Sequence, residues 1–288
     1  MMDPSAFRNN RPLLGRNESN NMKRRDFIKT SLAAGSLLGM GQVANAATTV
    51  PKTKGRTPEY YEWRTYLLKT PAQKDRVDEY FKQAFIPALN RLGCKPIGVF
   101  TEQNTKEITK LYALITYPSL EVFGSVTARL AKDEAYQKAG ANYLQATKAD
   151  PAYARIESSF MVAFTGMPRI ELAPFSTEKK PRMFEIRIYE AHSEVKCQKK
   201  VEMFNIGEMQ VMRETGLAPV FYGYTLLGAK VPNMTYMLSA ENQDEHKKHW
   251  ATFGAHPEWT RLKGLPEYAD TVSNITNIFL VPTTASQI

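Results

Sequence analysis

Two short stretches of this chain alternate apolar and polar side chains in nearly the same letters. The first runs Tyr-Glu-Trp-Arg-Thr-Tyr from Tyr61 to Tyr66, and the second runs Phe-Glu-Ile-Arg-Ile-Tyr from Phe184 to Tyr189. An alternation with a period of two residues is typical of a β-strand whose two faces have different surroundings. Each stretch therefore predicts a strand that carries Glu, Arg and Tyr on one face.

The first of these strands is followed by the pattern of an amphipathic helix. Thr70, Pro71 and Gln73 form the sequence of a helix start with a capping box. Gly93 fits the left-handed residue that ends a helix, and Pro87 predicts a kink inside it. The apolar positions between these ends recur at helical spacing: Val77, Phe81, Phe85 and Leu89.

The two strands belong to a longer repeat that covers most of the chain. A shift of 123 residues aligns them, and the same shift aligns Gly93 with Gly216 and Pro96 with Pro219. Further matches follow in the same order along both halves. An ordered series at a nearly constant offset indicates a duplicated unit.

Each copy reads strand, helix, strand, strand, helix, strand, which is the order of the ferredoxin-like fold. We place the first unit at residues 58–165, a linker at 166–181 and the second unit at 182–284. Two helices cover one face of such a sheet and leave the other bare, so the bare face needs a partner. The sequence therefore predicts an α+β protein whose two sheets pack face to face as an intrachain pseudo-dimeric α/β barrel.

Residues 1–46 have the features of an export signal. Arg24 and Arg25 precede a short apolar stretch, and Ala44 and Ala46 form a small-x-small cleavage site. The paired arginines are similar to a bacterial twin-arginine signal, and the alternative is an ordinary signal that begins with two arginines. We expect cleavage after Ala46, a periplasmic location and no membrane association after cleavage.

Composition and charge narrow the classes of function. The chain is 43% hydrophobic and 11% aromatic, which are values of a globular protein. The net charge of +9 contains no run of five or six like charges, so nucleic-acid binding has little electrostatic support. Two cysteines, Cys94 and Cys197, exclude a disulfide scaffold, and we expect both to be reduced or buried.

The repeated Glu-Arg-Tyr set is the first candidate site. We expect the apolar side chains of both strands to lie under the helices, which turns the polar set toward the opposite sheet. One interpretation is a pocket for an anionic or oxygenated small molecule, with the arginines as forks and a tyrosine as acid. The interpretation we favour is an inter-unit ion-pair network that fixes the docking of the sheets. The set consists of Glu62, Arg64, Tyr66, Glu185, Arg187 and Tyr189.

The second candidate site lies late in the second unit. His246, Trp250, Phe253 and Trp259 predict either core packing or a hydrophobic pocket between helix and sheet. His246 and His249 lie one turn apart and could ligate a metal or haem iron, but we favour a partly buried histidine bonded to backbone. The chain lacks phosphate-loop, nucleophile-elbow, zincin and dinucleotide motifs. We predict no metal and no cofactor, with haem as the alternative left open.

At these residues the sequence resembles the NIPSNAP family, within the dimeric α/β-barrel superfamily. The resemblance rests on the Glu-x-Arg-x-Tyr strands, the Gly-x-x-Pro turns and the aromatic segment from Trp250 to Trp259. It implies the fold predicted above, whereas the activity of the family is poorly defined. Other branches of the superfamily include haem-binding proteins and cofactor-free monooxygenases.

The function predicted from the sequence is small-molecule binding or protein interaction by an exported NIPSNAP-like protein. The alternative is an oxidoreductase or monooxygenase-like enzyme, and the sequence leaves open whether any reaction is catalysed. We expect a small-molecule ligand, no nucleic-acid partner and a homo-oligomer.

Overall fold

The computed structural model describes residues 57–106 and 109–288. The predicted export signal, with Arg24, Arg25, Ala44 and Ala46, lies outside the described residues. Among the helices of residues 57–106 and 109–288, none has the length and the apolar character that a membrane span requires.

The first unit contains the predicted elements and two additional short helices before its last strand. Its first helix is divided by a five-residue π-helical turn, Phe81–Phe85. The elements are β1 (Tyr60–Leu67), α1 (Pro71–Tyr80), α2 (Ile86–Arg91), β2 (Ile97–Glu102), β3 (Lys110–Tyr117), α3 (Leu120–Leu130), α4 (Glu134–Ala139), α5 (Ala141–Leu144) and β4 (Arg155–Ala163).

The second unit repeats this order after a linker that contains one short helix, α6 (Pro174–Thr177). Its first helix has the same π-helical turn, here Phe204–Glu208. The elements are β5 (Met183–Glu190), α7 (Glu194–Met203), α8 (Met209–Glu214), β6 (Ala218–Leu227), β7 (Asn233–Ala240), α9 (Gln243–Ala255), α10 (Pro257–Lys263) and β8 (Asn274–Pro282).

The helix ends follow the local signals in the sequence. Thr70 accepts a hydrogen bond from the Gln73 amide at 3.2 Å, and Gln73 Oε1 accepts one from the Lys69 amide at 2.7 Å. Gly93 and Gly216 have φ values of +81° and +85°, the left-handed conformation in which glycine ends a helix without strain. The predicted start and stop of the first helix are therefore confirmed.

The eight strands form one closed barrel in the order β1-β3-β2-β8-β5-β7-β6-β4. Two antiparallel pairings join the units: β2 pairs with β8, and β4 pairs with β6. Each unit thus contributes four strands, and the helices pack on the outer faces. The prediction of two ferredoxin-like units closed into one α/β barrel is confirmed.

The barrel interior holds the side chains that we expected to find under the helices. Tyr61 and Trp63 of the first unit share the interior cluster with Phe184 and Ile186 of the second. Tyr66 instead packs in the core between the helices and the sheet of the first unit. The alternation was correct, but the assignment of the two faces was wrong.

Closure of the barrel explains this error. It buries the inner face of each sheet as completely as the outer face under the helices, so both faces need apolar side chains. Strand alternation separates two faces and cannot tell one buried face from the other. The six residues of the Glu-Arg-Tyr set therefore lie in two separate outer layers and form no network between the units.

Ile288 fills one end of the barrel. Ile288 is fully buried in the interior cluster, and its main-chain oxygen accepts a hydrogen bond of 2.8 Å from Arg182, just before β5 begins. Elsewhere in the core, Cys94 and Cys197 are both free and buried, as expected.

Candidate functional site

Each unit carries a Glu–Arg ion pair between its sheet and its helices. In the first unit Arg64 Nε and Nη2 donate to the two carboxylate oxygens of Glu62 at 2.6 and 3.0 Å. In the second, Arg187 Nη1 donates to Glu185 Oε1 at 2.6 Å. The repeated polar set is thus a repeated ion pair, but it lies within each unit.

In the first unit the remaining bonds of the pair are made locally. Glu62 also accepts hydrogen bonds from Tyr117 Oη at 2.8 Å and Ser158 Oγ at 2.7 Å. Burial by itself raises the pKa of Glu62, but Arg64 and these hydroxyl groups outweigh burial and the pKa is lowered. The Arg64 guanidinium lies 5.2 Å from the ring centre of Phe85.

In the second unit the two candidate sites predicted from the sequence come together at Glu185. His246 Nε2 lies 2.7 Å from Glu185 Oε2, Trp250 Nε1 donates to the same oxygen at 3.0 Å, and Asn277 Nδ2 donates to Oε1 at 3.2 Å. Because a carboxylate oxygen accepts and does not donate, the hydrogen bond between His246 and Glu185 requires a proton on Nε2 of the imidazole. The favoured interpretation of His246 as a histidine bonded to backbone is therefore wrong, because its partner is a carboxylate.

These bonds keep Glu185 ionised although it is only 1% exposed. Burial raises the pKa of Glu185, whereas the hydrogen bond from His246 and the charge of Arg187 lower it more, so the net pKa is below the ordinary value. The Arg187 guanidinium also lies 4.7 Å from the ring centre of Trp250. Asn277 corresponds to Ser158, since each pairs across the sheet with the arginine of its own unit.

The other two aromatic candidates pack beside this cluster. The ring centre of Phe253 lies 5.3 Å from that of Trp250 and 4.7 Å from that of Trp259. Phe253 is buried in the core between helices and sheet. The core-packing interpretation of these residues fits this arrangement.

Sequence reasoning missed a second ion pair in the outer layer of the second unit. Lys200 Nζ donates to Glu208 Oε2 at 2.7 Å, and both residues are buried. Burial raises the pKa of Glu208 more than the Lys200 charge lowers it. The repeat alignment contained a signal, because the corresponding residues of the first unit are the apolar Val77 and Phe85.

A cavity of about 590 Å³ lies between the two sheets, at the end of the barrel opposite Ile288. Both units line it with residues at equivalent strand positions: Thr65 corresponds to Ile188, and Tyr112 to Thr235. Its wall comprises Trp63, Thr65, Lys110, Tyr112, Glu157, Ser158 and Ser159 from the first unit, and Ile188, Ala229, Lys230, Asn233, Thr235, Thr276 and Ile278 from the second.

The first unit supplies the aromatic side of this cavity. The rings of Trp63 and Tyr112 are stacked, with centroids 5.4 Å apart and planes 19° from parallel. Tyr112 Oη donates to Glu102 Oε1. The sequence predicted a pocket between the sheets that is lined by the Glu-Arg-Tyr set. The cavity is lined instead by the opposite face of β1 and β5, with Thr65 and Ile188 in its wall.

No metal centre is evident in the described ranges. Within residues 57–106 and 109–288, no three or more His, Cys, Asp and Glu side chains cluster closely enough to hold a metal ion. The absence of a cofactor stays a prediction.

Fold and cavity define a class: dimeric α/β-barrel proteins, with both halves of the barrel in one chain. The NIPSNAP family model matches residues 61–165 and 184–287, once in each unit. The chain belongs to the NIPSNAP family. No curated protein sequence matches it.

Several solved structures are similar to this chain. A candidate monooxygenase from Lactobacillus acidophilus is 9% identical, with a TM-score of 0.51 over 80% of this chain and 97% of that one. A candidate monooxygenase from Fusobacterium nucleatum is 11% identical, with a TM-score of 0.49 over 78% and 93%. A NIPSNAP-like domain protein from Burkholderia xenovorans is 18% identical, with a TM-score of 0.33 over 36% and 87%. At 9% identity the likeness to the Lactobacillus structure shows a shared fold alone.

Proposed function

We propose that this protein binds a small molecule in the cavity between its two sheets. The observation that carries the proposal is the cavity itself. Its volume of about 590 Å³ lies within the range of small-molecule sites, and its wall combines aromatic, aliphatic and hydroxyl side chains.

Barrel geometry supports this proposal. An eight-stranded barrel is just wide enough to be filled by its own side chains or to hold one small ligand. Here Tyr61, Phe184 and Ile288 fill one part of the interior. At the other end the layer of Thr65, Ile188 and Thr235 is too small to do so, and space remains.

Native mass spectrometry of the full chain, purified from its native host, tests the proposal. We expect one bound organic molecule per chain. Thr235→Tyr, which copies Tyr112 of the first unit into the facing wall, fills the cavity and removes that mass. Thr252→Tyr, at an exposed position of α9, retains it. A wild-type chain that carries no molecule, or a Thr235→Tyr variant that retains it, contradicts the proposal.

We also propose that the protein is exported by the twin-arginine pathway to the periplasm. The paired Arg24 and Arg25 and the Ala44-x-Ala46 site support it. In a bacterial host, replacement of both arginines by lysine is expected to leave the chain uncleaved in the cytoplasm. Cleaved, exported protein from that variant contradicts the proposal. The homo-oligomer stays a prediction, and light scattering tests it by measuring the molar mass of the protein in solution.

An acid–base enzyme of the oxidoreductase type is the second candidate. The observation that favours it is the buried His246–Glu185 pair beside Lys200 and Glu208, because such groups are typical of catalytic sites as well as of ion-pair networks. Oxygen consumption by the purified chain with a metabolite extract of its native host, lost in His246→Gln but not in Thr252→Tyr, supports an enzyme. A rate unchanged by His246→Gln excludes this site.

A further inference from the structure

We infer that the ligand of the cavity between the sheets is an organic cation with an apolar or aromatic body, whose ammonium group lies between Glu157 and the rings of Trp63 and Tyr112. The inference rests on the proposed function, because it names the class of molecule that the same cavity selects.

The charges of the cavity wall leave one carboxylate without a partner. Lys110 Nζ lies 3.5 Å from Glu102 Oε1, and Lys230 Nζ lies 3.3 Å from Glu190 Oε1. The side-chain carboxylate of Glu157, in contrast, has no ion pair or hydrogen bond with any residue in the described ranges 57–106 and 109–288. Each of the two lysines therefore has a carboxylate of its own, and Glu157 is the charged side chain of the lining that has no partner.

The cation nearest to this carboxylate along the strand does not compensate it. Arg155 lies two residues earlier on β4, outside the cavity lining, and forms no ion pair with Glu157. The ammonium group of a ligand in contact with Glu157 lies closer to this carboxylate than the Arg155 guanidinium does. Its attraction to the carboxylate is therefore the stronger of the two.

Strand register places the carboxylate opposite the aromatic pair. Thr65 of β1 pairs with Glu157 on one side and with Tyr112 on the other. Glu157 and Tyr112 are thus two strand spacings apart, or about 10 Å, with the small Thr65 between them. Trp63 lies on the same face of β1, one alternation further into the barrel.

This arrangement has the components of a cation site. Tryptophan is the aromatic ring that attracts a cation most strongly, and tyrosine follows it. The parts of both rings that line the cavity offer an electron-rich apolar surface to the ligand, and the carboxylate offers a charged hydrogen-bond acceptor.

The second unit gives the ligand its orientation. Its equivalents of Thr65, Tyr112 and Glu157 are Ile188, Thr235 and Thr276, none of which carries a charge. A cation can therefore be held at only one of the two pseudo-equivalent positions. One barrel binds one ligand, with the ammonium turned to the first unit and the apolar body against Ile188.

Three probes of one shape test the charge preference: phenethylamine, 2-phenylethanol and 3-phenylpropionate. Ligand-detected NMR titrations with the full chain give their dissociation constants. We expect phenethylamine to bind about tenfold more tightly than the alcohol, which is the lower end for a hydrogen bond to a charged group. Thr235→Tyr abolishes binding, which locates the probes in the cavity.

Glu157→Gln is the decisive variant, and Glu134→Gln, on the exposed surface of α4, is its matched control. The first is expected to make amine and alcohol bind equally, and the second to preserve the tenfold difference. If the carboxylate or the alcohol binds wild-type protein as tightly as the amine, the ligand class is wrong and small-molecule binding stands. If no probe binds in a manner that Thr235→Tyr abolishes, the inference and the proposed function both fail.

Discussion

Glu185 and Glu62 occupy the same position in the two units, yet their surroundings differ. Glu62 is bonded by Arg64 and by two hydroxyl groups, whereas Glu185 is bonded by Arg187, an imidazole, an indole and an amide. A buried carboxylate with a full set of donors fixes the positions of those donors. At the residue scale, Glu185 is the group that ties β5 to α9.

Replacement of Glu185 by Gln tests this role. The change keeps the shape and leaves Arg187 without its counter-charge, so we expect the free energy of unfolding to fall by about 3 kcal/mol, the lower end for a broken buried pair. Urea denaturation measures it, with Glu134→Gln at an exposed position of α4 as control. A loss below about 0.5 kcal/mol contradicts the assignment.

The same carboxylates predict how stability depends on pH. The pKa values of Glu62 and Glu185 are lowered on folding, so their contribution is present above the unfolded value of about 4.3 and is lost as pH falls through the folded pKa. The pKa of Glu208 is raised, so its contribution has the opposite sign and is lost as pH rises through its folded value.

Between pH 5 and pH 3 we therefore expect the urea midpoint of the wild-type protein to fall more steeply than that of Glu185→Gln, because the variant has lost one of the groups that must be protonated. Midpoints measured across this range at constant ionic strength give the two slopes. Equal slopes are incompatible with a lowered pKa at Glu185.

At the element scale, the first helix of one unit has the same irregularity as the first helix of the other. Both contain a π-helical turn at the same point, Phe81–Phe85 and Phe204–Glu208. Pro87 follows the first turn, but the second unit has Gln210 at that position, so the irregularity does not require proline. The turn places Glu208 toward the sheet in the second unit and Phe85 in the first.

The Lys200–Glu208 pair can be exchanged for its counterpart in the first unit. We expect the double variant Lys200→Val with Glu208→Phe to be as stable as the wild type, or more stable by up to about 4 kcal/mol, since apolar packing replaces a buried ion pair. Glu208→Gln alone leaves a buried lysine uncompensated and is expected to cost about 3 kcal/mol or more. Urea denaturation of the wild type and of both variants measures these differences. A double variant less stable than Glu208→Gln is inconsistent with this account.

The sequence predicts these elements well because their signals are local. The Thr70 cap, Gly93 and Gly216 each act on neighbouring backbone, and alternation in β1 and β5 is visible within six residues. Which face of a strand turns to the helices and which to the barrel interior is not a local property, because it depends on what covers each side of the sheet. Tyr61 and Trp63 could lie under helices or inside the barrel, and only closure of the barrel decides between them.

At the scale of the whole molecule, the duplication predicts the closed barrel but not the site. The cavity joins Thr65 to Ile188 and Tyr112 to Thr235, and the two members of each pair are 123 residues apart in the chain. The meeting of Glu185 with His246 depends on packing between β5 and α9 in the same way. Neither contact follows from spacing along the sequence, so both required the structure.

Both units share one barrel interior, and we therefore expect them to unfold together. Trp63 reports on that interior, while Trp250 and Trp259 report on the outer layer of the second unit. The variant Trp250→Phe with Trp259→Phe leaves Trp63 as the only tryptophan, and Trp63→Phe leaves the other two. In each variant, urea unfolding is followed by tryptophan fluorescence and by far-ultraviolet circular dichroism.

In each variant we expect one transition with coincident midpoints for both signals, because a shared interior makes unfolding all-or-none. Two transitions, with Trp63 fluorescence changing at a urea concentration where part of the circular dichroism signal persists, would show units that unfold separately. That result would contradict a single closed barrel and the cavity between its sheets.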